Sequence, residues 1–212
     1  MIETLYADFW ILTETHAREE DEIMLDNFTV YTLNRTNSKK ASGGIAIAVN
    51  KSLLESHSVI SIHKDKDGQL GIKLKCNLND MLIGILGFYL SPDSYVYGQD
   101  PEGFFTDAAS LWDDFSDCDL LIGSGDLNAR ISTELDIIPD IDGDHIPPRS
   151  NPDEKKNSHG NHFLTFLKGV RAVVLNGRVT PNLNNFTFIS PRGKSVPDHM
   201  FCPVESFELC KR

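Results

Sequence analysis

Residues 121–129 read Leu-Ile-Gly-Ser-Gly-Asp-Leu-Asn-Ala. The run DLLIG at 119–123 has the length and apolar character of a buried strand. Gly123 and Gly125 then allow a sharp turn, and Asp126 and Asn128 follow, two residues apart. In extended backbone, residues two apart point to the same side. A carboxylate and an amide on one side suit a Mg²⁺ and phosphate site. Mg²⁺ takes hard oxygen ligands, typically one or two carboxylates completed by water and substrate phosphate. An amide holds a phosphate oxygen or a water without adding negative charge. Asp and Asn also favour Asx turns, and on these residues alone that reading stands beside the catalytic one.

Two further strand ends carry acids. Residues 7–14 (ADFWILTE) read as a buried strand that presents Glu14 where it runs out. A helix is expected over 15–28, so an acid favoured near a helix start is the plainer explanation of Glu14. Residues 186–201 read as a hairpin: a strand Phe-Thr-Phe-Ile-Ser, a turn at 191–194, and a second strand holding Asp198 among apolar neighbours. A carboxylate there needs a partner, whether structural or functional. Tyr89 ends another expected strand, 81–89, and is followed by Leu-Ser-Pro. A tyrosine in that place can aim its hydroxyl at a site, although semi-buried packing is the commoner role.

Further strands are expected at 28–33, 45–49, 59–63, 69–76, 172–176 and 185–189, with turns at 65–68 and 77–80. Apolar residues at 104, 105, 108, 111, 112 and 115 are spaced as in a helix, and a short helix over 161–169 ends at a glycine. Residues 130–157 read as loop. No repeat or linker divides the 212 residues, so one domain over 1–212 is expected, built from two packed sheets with flanking helices.

Net charge is −11, against a protein that merely coats nucleic acid. It does not exclude an enzyme whose carboxylates hold cations. From 89 to 128 there is no Lys or Arg but nine carboxylates, read mostly as a solvated face apart from Asp126. The four cysteines make no C-x-x-C pair, so zinc or thioredoxin-like chemistry has no support. No apolar run approaches the ~20 residues that span a bilayer, and no export signal is present. A nuclear or cytoplasmic setting without membrane attachment is expected. His159 and His162 read as solvated helix-start residues, the Asp140–Asp144 stretch as an acidic loop, and Arg35, Lys39 and Lys40 as a basic group of an exposed loop or a contact for backbone phosphates.

Taken in order, these segments resemble the endonuclease/exonuclease/phosphatase superfamily, the deoxyribonuclease-I-like fold. The nearest likeness is to endonuclease domains of non-long-terminal-repeat retrotransposons. Leu12-Thr13-Glu14-Thr15-His16 matches the family's L-Q-E-T-H with Thr13 for Gln, and Ser42-Gly43-Gly44-Ile45-Ala46-Ile47 its G-G strand. Tyr89-Leu90-Ser91-Pro92 matches its Y-x-P-P, Gly125-Asp126-Leu127-Asn128-Ala129 its G-D-x-N-A, the stretch from Asn157 its N-x-x-G helix, and the stretch from Thr187 to Asp198 its T-F-x-S…S-x-x-D. His199 stands where the family often has Tyr.

The resemblance implies an α/β (α+β) fold, a four-layer sandwich of two mixed β-sheets flanked by helices. It implies a metal-dependent phosphodiesterase that cleaves DNA. Glu14 would bind Mg²⁺ or Mn²⁺, and Asp126 would bind metal and orient or deprotonate the attacking water. Asn128 and Tyr89 would hold the scissile phosphate, Asp198 would bind metal or support the site, and Thr187 would help position substrate. The family's opening Asn strand and closing Ser-Asp-His segment have no counterpart here, so a domain cut at both ends is expected. A phosphatase acting on a small phosphoester and a non-catalytic remnant are the competing readings. No partner protein or oligomeric state is implied.

Overall fold

The computed structural model describes residues 7–35, 42–142, 145–179 and 186–211, which fall into two compact units. The first comprises residues up to 89 together with 115–121, and the second the remainder.

In the first unit, β1 (Phe9–Thr13), β2 (Phe28–Leu33) and β3 (Ile45–Asn50) form a sheet in the order β1-β3-β2. Both pairings are antiparallel, with Phe9 opposite Val49 and Phe28 opposite Asn50. The short helix α1 (Lys51–Leu54) is capped by the Asn50 side chain, which accepts from the Ser52 N–H. A meander of β4 (His57–Lys66), β5 (Gln69–Cys76) and β6 (Leu82–Tyr89) follows. Ile45, Ile47 and Val49 pack with Leu70, Ile72, Leu74, Ile85 and Tyr89 into this unit's core. Strand β3 is buried on both faces, which explains why it reads as an unbroken apolar run.

The expected helix over 15–28 is absent; β1 runs out into loop. Glu14 and His16 adopt left-handed backbone (φ 52° and 51°), and the His16 N–H is bound to the Gly43 carbonyl oxygen at 2.9 Å. Four successive acids at 19–22 then meet three contiguous apolar residues at 23–25, a pattern with no helical stripe.

In the second unit, α2 (Pro101–Asp113) starts at Asp100, whose carboxylate accepts from the Gly103 N–H at 2.9 Å. Strand β7 (Leu120–Asp126) enters this unit, followed by a short α3 (Pro139–Asp142) within the expected loop. Then come α4 (Ser158–Val170), β8 (Ala172–Val174), the hairpin strands β9 (Phe188–Ser190) and β10 (Gly193–Ser195), and β11 (Asp198–Pro203). The chain ends in 3₁₀ turns over Val204–Lys211. Strand β11 lies antiparallel between β7 and β8. Phe105 and Trp112 of α2, Phe163 and Phe166 of α4, and Phe201 of β11 stack together, Trp112 on Phe201 at 5.5 Å and Phe105 on Phe163 at 5.7 Å. Among the described residues, no helix is long and apolar enough to cross a membrane.

Two hairpin expectations need correction. The partner of β9 is the three-residue β10, not a strand through Asp198. The Val196 N–H goes to the Asp153 carboxylate at 3.1 Å, and Pro197 has no N–H to give a ladder. Asp198 therefore opens a separate strand, with β7 as its neighbour.

Candidate active site

Strand β7 ends in the second unit at Asp126, and β11 begins at Asp198 directly opposite it in register. Residues facing each other across an antiparallel pair project to the same side, with Cβ atoms about 5 Å apart. Like charges placed so repel, and both side chains are only half-buried. Two opposed carboxylates are a donor set that a hard divalent cation fits, with water and a phosphate ester completing its shell. Among the described residues, no group of three or more His, Cys, Asp or Glu is gathered around one point.

Asn128 reaches this place by a turn rather than by strand alternation. Its backbone is left-handed (φ 47°), and its N–H donates to Asp126 Oδ1 at 2.9 Å, an Asx turn. Its Nδ2 donates to the Leu90 carbonyl oxygen at 2.9 Å, while the Leu90 N–H donates to the Asp126 carbonyl oxygen at 2.9 Å. The local turn and the strand-end acid are thus parts of one arrangement. The Asp198 N–H meets Thr187 Oγ1 at 3.4 Å, so the Thr187 hydroxyl also touches the start of β11.

Asn157, missed as a site-shaping residue in the sequence, ties the turn to α4. Its Nδ2 donates to the Asn128 carbonyl oxygen at 2.7 Å, and its Oδ1 accepts from the N–H groups of Arg130 and Gly160 at 2.9 and 2.8 Å. A Cβ at Gly160 would stand 2.0 Å from the Arg130 carbonyl oxygen, so only glycine permits this approach. An Asn followed three residues later by a glycine at a helix start was the available signal.

In the first unit, exposed Glu14 follows β1, and its Oε1 accepts from the Tyr89 hydroxyl at 2.8 Å. Tyr89 ends β6, 4% exposed, with its N–H on the Gly68 carbonyl oxygen. The Arg35 guanidinium sits 5.8 Å from the Tyr89 ring centre and grips Asp67 with Nε–Oδ1 and Nη2–Oδ2 contacts of 3.0 and 2.7 Å. Gly43 (φ 65°) closes the nest, since a Cβ there would come 2.7 Å from Arg35 Nη1 and 3.1 Å from the Tyr89 ring. Arg35 is therefore part of the packing around Tyr89 and its charge is matched by Asp67. Lys39 and Lys40 lie outside the described residues.

Two histidines are internal, His159 and His199. His199 is buried, with Nε2 2.7 Å from the Ala129 carbonyl oxygen and its ring 5.0 Å from that of Phe163. Burial pushes it down to about 4, against the hydrogen bond to Ala129, so it is neutral at pH 7. His159 is buried too, not solvated, with Nε2 2.8 Å from the Gly98 carbonyl oxygen. Asp142, expected in an acidic loop, is buried in α3 and accepts from the Ile138 N–H and from Arg171.

No family sequence profile and no curated protein sequence matches the chain. Solved structures do. An AP endonuclease from Leishmania major superposes with a TM-score of 0.67 over 92% of this chain and 69% of its own, at 12% identity. A 3'-5' exonuclease from Neisseria meningitidis gives 0.61 over 95% and 78%, also at 12% identity. The human nocturnin catalytic domain, with a bound sulfate, gives 0.52 over 92% and 68%, at 9% identity. The chain has the deoxyribonuclease-I-like fold. The expected α/β class of the endonuclease/exonuclease/phosphatase architecture, with strands in sheets and helices against them, is thereby borne out. Within this deoxyribonuclease-I-like fold, the strand-end residues singled out in the sequence fall into two sets: Glu14 with Tyr89, and Asp126 with Asn128, Asp198 and Thr187.

Proposed function

We propose that the chain is a divalent-cation-dependent phosphodiesterase acting on DNA, of the retrotransposon endonuclease type. The observation that carries this reading is the in-register pair Asp126 and Asp198, with the Asx turn of Asn128 beside it. Two carboxylates facing each other concentrate negative charge at one place, a donor set that a hard divalent cation fits. The fold shared with an AP endonuclease and a 3'-5' exonuclease supports it.

In this reading the opposed Asp126 and Asp198 would hold Mg²⁺ or Mn²⁺, which supplies charge neutralisation at the phosphate when bound, and Glu14 holds the Tyr89 hydroxyl. Asp126 orients the attacking water and takes its proton. The Asn128 amide, fixed in direction by the Leu90 carbonyl, holds a phosphate oxygen. The Tyr89 hydroxyl, held by Glu14, is a donor for a phosphate ester. Thr187 sets the start of β11 and contributes to substrate placement. The incubation that tests this is Mg²⁺ with supercoiled plasmid, comparing the natural chain with Glu14→Ala and Asp126→Ala. The expected result is nicking by the natural chain alone. Equal nicking by all three overturns the assignment of these residues.

A second reading is a phosphomonoesterase. It is favoured by a Neisseria structure of the same fold described as a 3' phosphatase bound to a product DNA hairpin, and by the net charge of −11. Release of phosphate from a 3'-phosphorylated oligonucleotide without plasmid nicking would select it. A chain that does neither and takes up no Mg²⁺ by calorimetry is a non-catalytic remnant.

A further inference from the structure

Two of the four free cysteines lie together, away from the strand ends described above. Cys202 is fully buried in β11. The 3₁₀ turns over Val204–Lys211 begin as β11 ends and fold back onto it. Cys210 thereby packs, half-buried, against the cluster of Cys202, Val204, Phe207, Val173 and Leu175. Both sulfurs therefore belong to one cluster, one buried within it and one at its edge. The other cysteines, Cys76 and Cys118, belong to the first unit.

We propose that Cys202 and Cys210 are a redox-responsive dithiol, closed to an intrachain disulfide by low-molecular-weight disulfides such as oxidised glutathione. Cys210 is the sulfur that solvent reaches and Cys202 the one behind it, so the order of events is fixed. The Cys210 thiolate attacks one sulfur of the oxidant; the oxidant's S–S bond breaks and one glutathione thiolate leaves. The Cys202 thiol then gives its proton to solvent, and its sulfur attacks Cys210, forming the intrachain bond and releasing the second glutathione. Two protein thiols are oxidised and one disulfide is reduced to two thiols.

The acid–base properties agree with that order. The hydrogen bond from Cys202 draws the Cys210 thiol down to about 7, against the burial that pushes it up. The bond to Cys210 and burial hold Cys202 well above the usual thiol range. Once Cys210 is in a mixed disulfide its negative charge is gone, and with it the main cause that keeps Cys202 protonated. Burial pushes Cys118 up to about 11, so it is inert at neutral pH.

The test treats the reduced full chain with oxidised glutathione at pH 7.5. Titratable thiols should fall from four to two, the intact mass should drop by two hydrogens, and peptide mapping should join Cys202 to Cys210. Iodoacetamide should label Cys210 at least about tenfold faster than Cys118. Cys202→Ala should convert the product to a stable glutathione adduct on Cys210, and Cys210→Ser should abolish the reaction. A natural chain that keeps glutathione on Cys210, or that reacts first at Cys118, overturns the proposal. Circular dichroism of each variant separates loss of reaction from loss of fold.

Discussion

Two aspartates of the second unit show opposite uses of a carboxylate. Asp136 is 1% exposed and is gripped by both terminal nitrogens of Arg178 at 2.8 Å, and it accepts the Val174 N–H at 2.9 Å. Burial alone would push its carboxyl up, but the hydrogen bonds and charge of Arg178 outweigh that and hold it below the usual range. Asp126 is half-buried at the end of β7 and faces another carboxylate across the ladder. One acid is surrounded by groups that satisfy it for the sake of the fold. The other is half-buried at a strand end and stands opposite a second carboxylate. An acid that holds structure is matched from within; the acid proposed to hold a ligand faces a second acid.

The comparison is sharpest in a pair of substitutions. Asp126→Asn should lower the proposed DNA cleavage by about 10³-fold while changing stability by no more than about 1 kcal/mol. Asp136→Ala should do the reverse in kind. It leaves the Arg178 guanidinium buried without its counter-charge, and urea unfolding should show a loss of about 3–5 kcal/mol. A stable Asp136→Ala chain, or an Asp126→Asn chain that unfolds early, would break the distinction.

A smaller effect comes from acid. The folded pKa of His199 is depressed to about 4 from 6.5. Below pH 6.5 the unfolded chain takes up a proton that the folded chain refuses, so the contribution of His199 is full above that pH. It is lost progressively as pH falls towards 4, by about 3 kcal/mol in all. Urea unfolding of the natural chain and His199→Phe across this window should show the slope in the first and a reduced slope in the second. Next, Tyr89→Phe removes the hydroxyl that donates to Glu14. A hydrogen bond to a charged group contributes about 1.5–3 kcal/mol, which corresponds to roughly a 10- to 100-fold fall in cleavage rate if it is made in the transition state. Smallest, Asn157→Ala should cost about 1 kcal/mol as a lost helix cap and raise KM by loosening the Asn128 turn.

The buried strand before G-D-x-N was legible because an apolar run is a local signal, but the sharp turn expected at Gly123 and Gly125 is absent: β7 continues through both to Asp126, held by its ladder with β11. The strands β2 and β5 match the expected 28–33 and 69–76 because apolar length and flanking turn residues bound them on both sides. What could not be read depends on distant partners. Asp198 seemed to belong to a hairpin because nothing near it announces β7, 72 residues earlier by register with Asp126. The Asp136–Arg178 pair spans 42 residues, and the burial of His159 and His199 comes from elements that no periodicity names. The expected helix over 15–28 failed because composition was helical while the backbone at 14 and 16 was already committed to the Gly43–Gly44 turn.

Asp198 and His199 are neighbours on β11 that face opposite ways, one towards the paired acid and one into the aromatic core beside Phe163. A slip of the strand by a single residue would exchange them, thrusting a carboxylate among phenylalanines and stranding an imidazole outside. The strand therefore proofreads its own alignment: chains that mispair it forfeit stability, and every molecule that survives folding carries its acids facing each other.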